Sequence, residues 1–205
     1  MLSVKRNAGD TCSCKLPVDL ERRRASRIHT VLRLARVTRS HDVGLWRVRN
    51  ISDTGMMLSA RVPVRRSEAL TIALSDSVTI AGRVEWWDGE RCGVAFEAPV
   101  DCAALLASLV AEQSGPGYRP PRLPVSTSAT AYCEKGLHSV RLTELSQHGA
   151  GFTHDGCFRP GMAAKLHFPA GDDYRGVVRA ERDGRAELLL TEPIPFARLE
   201  SAARF

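Results

Sequence analysis

Two short stretches of this chain hold residue types that can grip a flat, anionic ligand. The first is Arg22-Arg23-Arg24-Ala25-Ser26-Arg27, in which Arg23 and Arg27 form an Arg-x-x-x-Arg pair. Two guanidinium groups offer planar donor forks, each able to take a phosphate or the O6/N7 edge of a guanine. The second is Asn50-Ile51-Ser52-Asp53-Thr54-Gly55, which supplies an amide, a hydroxyl and a flexible turn. Arginine is so common here that about three such pairs are expected by chance. Three are present: Arg23 with Arg27, Arg61 with Arg65, and Arg175 with Arg179. An Asx-x-Ser-x-x-Gly pattern is expected only about 0.1 times, so its position one hairpin after the first arginine pair carries the weight.

Short runs rich in Val, Ile, Leu and Trp must position these residues. They fall at about 28–38, 45–51, 56–60, 69–74, 78–87 and 91–97, separated by Gly, Asp and Ser turns. Asp88-Gly89 is a hairpin signal. Many short strands at this spacing predict an antiparallel barrel. A turn at residues 40–44 returns the chain so that Asn50 to Gly55 lie on the barrel wall near the arginine segment. Asp101 then caps a helix over 100–113 that lies against one end of the barrel.

With these residues the chain resembles the PilZ domains, whose ligand is the bacterial second messenger cyclic di-GMP. Gly82 to Gly89 and Cys92 to Phe96 are similar to the paired late strands of that family, and Val100 to Gln113 to the helix after its barrel. The resemblance covers roughly residues 20–113. It implies that Arg23 and Arg27 contact phosphate and guanine, while Asn50, Ser52 and Gly55 hold the guanine edge and ribose-phosphate against the sheet. Arg22 matches a family position that helps hold a self-intercalated ligand dimer. Trp86 stands where a family aromatic approaches the ligand, or else is a plain core tryptophan.

After the helix, residues 114–121 (Ser-Gly-Pro-Gly-Tyr-Arg-Pro-Pro) break the pattern and read as a linker. Landmarks then recur at a constant offset of 94 residues (146 − 52 for the serines): Ser52 with Ser146, Gly55 with Gly149, Gly82 with Gly176, Pro99 with Pro193. Asp183-Gly184 follows Asp88-Gly89 one residue late. A duplicated domain is expected. The organisation is therefore a flexible N-terminal segment at 1–20, a ligand-binding PilZ domain at 21–113, the linker at 114–121 and a degenerate PilZ-like domain at 122–205. The fold class is mainly β: two tandem PilZ-like antiparallel barrels, the first followed by a C-terminal helix. In the second copy Tyr118 and Arg122 replace the two arginines and Glu144 replaces Asn50. A fixed carboxylate there repels phosphate, so this copy keeps the fold without the binding.

The formal net charge of +6 is compatible with an anionic partner. The six cysteines form no disulfide framework and follow no secretory signal, so they read as reduced thiols. Cys12-x-Cys14 has no second Cys or His pair at zinc-finger spacing, and no metal site or cofactor is expected. No stretch approaches the ~18 apolar residues of a membrane span, which predicts a cytoplasmic protein without membrane insertion. The Arg61-Arg65-Arg66 cluster lacks interleaved aromatics, so it reads as a solvated loop rather than a nucleic-acid surface. Cys133, Cys157, His138, His148 and His154 are the raw material for catalysis, yet no nucleophile motif surrounds them and no enzyme is expected. The implied function is a non-enzymatic cyclic di-GMP receptor that signals by conformational change to an unidentified protein partner. The alternative is a ligand-independent PilZ-fold adaptor. Oligomeric state and the process controlled are left open.

Overall fold

The computed structural model describes residues 33–205. Arg22, Arg23, Arg27, Cys12 and Cys14 lie outside the described residues. Six strands come first: β1 (Arg33–Thr38), β2 (Val43–Ser52), β3 (Gly55–Ser59), β4 (Ala69–Ala73), β5 (Thr79–Trp87) and β6 (Arg91–Phe96). They pair antiparallel in the order β1-β2-β3-β6-β5-β4 and close into a barrel where β1 meets β4. Period-2 burial explains the closure. In β5, Ile80, Gly82 and Val84 face inward while Thr79, Ala81, Arg83 and Glu85 face out. The helix α1 (Cys102–Ser114) follows, its first turn capped by the Asp101 carboxylate, which accepts from Ala104 N at 2.9 Å. Cys102 and Leu109 bury against the first barrel. No helix among the described residues is long and apolar enough to cross a membrane.

A second set repeats the arrangement: β7 (Leu123–Cys133), β8 (Gly136–Ser146), β9 (Gly149–Thr153), β10 (Ala163–His167), β11 (Asp173–Arg182) and β12 (Arg185–Leu190). It closes as β10-β11-β12-β9-β8-β7. The duplication extends to the irregularities. Register shifts fall between Val48 and Asn50 in β2 and between Leu142 and Glu144 in β8, then between Val84 and Trp86 in β5 and between Val178 and Ala180 in β11. A left-handed backbone recurs at Ser67 (φ 64°) and Gly161 (φ 87°). The late Asp-Gly turn has a physical cause. Asp183 and Gly184 both take positive φ in a two-residue hairpin, whereas the Asp88 carboxylate accepts from the backbone N–H groups of Glu90 and Arg91 in a longer turn. The second copy ends not in a long helix but in α2 (Phe196–Leu199) and a 3-10 turn at Ala202–Arg204.

The barrels pack against each other through the start of β2. Leu45 is fully buried among the core residues of the second barrel, with Val43 beside it, while the adjacent Trp46 belongs to the core of the first. The Trp46 indole N–H reaches across to the Glu200 carbonyl. Asp42 Oδ1 accepts from Ala202 N at 3.1 Å. The Arg61 segment differs from the solvated loop expected of it: Arg61 N donates to Glu200 Oε2 at 3.0 Å, and its carbonyl accepts from Arg204. These backbone groups belong to the barrel boundary, although the Arg61 side chain itself is exposed.

Candidate functional site

Asn50 and Ser52 lie at the far end of β2 from that boundary, and Gly55 opens β3. The Asp53-Thr54 turn between them is braced from two directions. Asp53 accepts through its carbonyl from Val100 N and through Oδ1 from Cys102 N, which ties the turn to the start of α1. Thr54 O accepts from Phe96 N in β6. The Ser52 hydroxyl donates to Gly55 O at 3.2 Å, closing the turn on itself. Gly55 allows close strand approach, since a Cβ there would meet Val94 O.

Strand register sets four residues in one row across the outside of the barrel. Asn50 pairs with Met57, Met57 with Gly93, and Gly93 with Trp86. The two register shifts stand immediately before Asn50 and Trp86, at the ends of this row. Between them is a cleft of about 200 Å³, lined by Asn50, Ser52, Gly55, Glu85, Trp86 and Gly93 among others. Trp86 is 45% exposed, so it is not a core tryptophan. Its indole lies across Gly93, where any added Cβ would overlap the ring. Gly93 and Glu85 were not singled out as site residues, although both fall in the stretches that resemble the paired late strands, and Gly93 is also a glycine inside a strand. No basic residue is among the described residues lining the cleft, and Glu85 places a carboxylate at its edge.

The equivalent row in the second barrel is Glu144, Gly151, Glu187 and Ala180, paired in the same order. Two carboxylates stand where the first barrel has Asn50 and Gly93, and alanine stands where it has the indole. Arg122 fills the space between them. Its guanidinium is 2.6 Å from Glu144 Oε1 and also pairs with Glu187. Glu144 folds over Gly151. Burial alone would raise the Glu187 carboxyl, but the hydrogen bond and charge of Arg122 outweigh it and hold Glu187 below its ordinary value. Burial works against the Arg122 charge as well, and the two carboxylates hold its pKa above the usual value. The second row is therefore plugged by an internal cation.

The PilZ domain family model matches residues 21–112. Solved structures similar in fold include PlzA of Borreliella burgdorferi in complex with c-di-GMP, with 12% identity over 86% of this chain and 93% of that one, at a TM-score of 0.36. The Bacillus subtilis inhibitor of motility MotI (DgrA) is 11% identical over 82% and 91% of the two chains, at a TM-score of 0.32. YcgR of Escherichia coli in complex with c-di-GMP is 12% identical over 77% and 74%, at 0.27. No curated protein sequence matches the chain.

Proposed function

With residues 21–112 belonging to the PilZ domain family, we propose that this protein is a cyclic di-GMP receptor that binds the dinucleotide on its first barrel and passes the event to a protein partner. The observation that carries this reading is that Asn50, Ser52, Gly55 and Trp86 line one cleft. The indole offers a stacking face for guanine, worth about 1–3 kcal/mol per base. Asn50 supplies amide groups for a base edge.

The cleft has no cation of its own among the described residues, so two phosphates need Arg22, Arg23 and Arg27 from the preceding segment. Several ionic hydrogen bonds must combine before micromolar affinity, about −8 kcal/mol, is reached. The protein acts by binding rather than by catalysis. Transmission runs along β2, one end of which lies at the barrel boundary through Leu45 and Trp46 and the other in the cleft. The ligand shifts the equilibrium only by its preference for one arrangement.

Isothermal titration of cyclic di-GMP into wild type, Arg23→Ala, Arg27→Ala and Ser52→Ala tests the reading. Loss of heat in the arginine variants is expected, and equal heats for all four overturn it. A second reading is favoured by the Arg122 plug: the second barrel serves as a ligand-independent adaptor surface. If that surface alone acts, a partner binds equally with and without the dinucleotide.

A further inference from the structure

The second barrel carries a group of side chains that its sequence spacing did not disclose. Cys133 ends β7, and the hairpin turn through Gly136 (φ 107°) places His138 two residues into β8. Cys157 lies in the segment that follows β9. The two thiols and one imidazole nitrogen all lie within 4.8 Å of one another, and all three residues are half-buried. His138 is held edge-on to Phe158, with ring centroids 5.7 Å apart. Its Nε2 is buried with no hydrogen-bond partner among the described residues, and its Nδ1 is 3.8 Å from Asp155 Oδ1. The approach to Cys157 is fixed by Gly156 N, which donates to His154 Nδ1 at 2.9 Å.

From this cluster we propose that Cys133, His138 and Cys157 bind a zinc ion that ties the β7–β8 hairpin to the segment after β9. Two thiolates and an imidazole are a soft and borderline donor set suited to Zn²⁺ and unsuited to Mg²⁺ or Ca²⁺, which require oxygen. Bonds of about 2.3 Å to sulfur and 2.0–2.1 Å to nitrogen put tetrahedral donors about 3.5–3.8 Å apart. The cluster reaches this by contraction of about 1 Å, within the range of side-chain rotation. Water or the exposed Asp155 carboxylate completes the fourth position.

The first barrel supplies an independent argument. At the same 94-residue offset, Cys133, His138 and Cys157 correspond to Arg39, Gly44 and Pro63. There the two segments are tied directly, because Arg39 donates to Pro63 O at 2.9 Å while its guanidinium pairs with Glu68. The second barrel has exchanged that arginine tie for two thiols facing an imidazole across the same gap. This site stands apart from the dinucleotide reading and does not depend on it.

The test is a cobalt titration of the full chain, reduced and stripped of metal with a chelator under anaerobic conditions. One equivalent of Co²⁺ is expected to give a sulfur-to-cobalt charge-transfer band and the visible bands of tetrahedral cobalt, both abolished by one equivalent of Zn²⁺. Cys133→Ser, Cys157→Ser and His138→Ala should each weaken binding at least tenfold, whereas Cys12→Ser/Cys14→Ser should leave the spectrum intact. Wild type that shows no sulfur band overturns the proposal, an arm that needs no variant to fold. A band that survives Cys133→Ser/Cys157→Ser, or vanishes in Cys12→Ser/Cys14→Ser, also overturns it by moving the ion to the N-terminal pair. Mass measurement showing Cys133 and Cys157 joined as a disulfide in the chain as isolated, before any reductant is added, does the same.

Discussion

The indole N–H of Trp46 donates to the backbone carbonyl of Glu200 at 2.9 Å, a buried hydrogen bond between residues 154 positions apart in the chain. It ties the core of one barrel to the end of the other. Gly44 makes the approach possible, since a Cβ there would overlap that same carbonyl. The two barrels therefore share a specific boundary rather than a loose tether.

That boundary predicts an effect that crosses it. Leu45 is on a first-barrel strand but buried in the second-barrel core. Leu45→Ala should cost about 2–5 kcal/mol, and the loss should appear in the unfolding of the second barrel. Trp46→Phe should cost about 1–3 kcal/mol by leaving the Glu200 carbonyl unpaired. Both are checked by chemical denaturation followed by hydrogen exchange of β7–β12 amides. Loss of protection confined to β1–β6 would contradict the shared boundary.

Trp86 and Gly93 make a second prediction, on ligand binding. Trp86→Ala removes the stacking face and should weaken cyclic di-GMP binding by about 1–3 kcal/mol, roughly 5- to 150-fold. Gly93→Ala keeps the indole but forces it off the strand, because the new methyl overlaps the ring. It should weaken binding by a similar factor while the barrel stays folded. Titration calorimetry with far-ultraviolet dichroism as the folding control decides both.

Much of this architecture was legible because alternation and turn chemistry are local. The strands at 69–74, 78–87 and 91–97 and the Asp101 cap were readable within a residue or two. The barrel boundary was not. Leu45 and Trp46 read as ordinary strand residues, and only tertiary packing decides that one faces its own core and the other a neighbour's. Asn50, Ser52, Gly55 and Trp86 were readable as separate motif positions, but their row depends on cross-strand register. The same holds for Glu187, whose place opposite Ala180 makes it the second carboxylate of the Arg122 plug. Cys133, His138 and Cys157 looked scattered because a loop brings the third ligand in from another strand pair.

The Arg122 plug predicts acid sensitivity in the second barrel. The Glu187 carboxyl is held below its unfolded value by Arg122 despite burial. Its contribution is therefore fully present above the unfolded carboxylate pKa, about 4.3, and is lost as pH falls through the lower folded value. Thermal unfolding of wild type between neutral pH and pH ~3 should show this slope, and Glu187→Gln should flatten it. Arg122→Ala leaves two carboxylates facing each other without their cation. It should cost about 1–3 kcal/mol at neutral pH, between the limits for exposed and buried pairs.

Cys92 should report on opening of the first barrel. It is buried in β6 beside Gly93, and burial pushes its thiol up to about 12. Only about one molecule in 10⁵ then carries the thiolate at neutral pH, so alkylation of the native barrel should be negligible. Denaturant should expose it at the global unfolding rate, whereas the half-buried Cys133 and Cys157 should react without unfolding when metal is removed. The raised pKa also makes the first barrel lose stability as pH rises above about 8.5, where the unfolded thiol ionises and the folded one does not. Cys92→Ala should reduce that alkaline slope, with the buried Cys102 thiol, which burial also pushes up, keeping part of it. Rapid native alkylation of Cys92, followed by peptide mass mapping, would show instead that β6 opens readily beside the cleft.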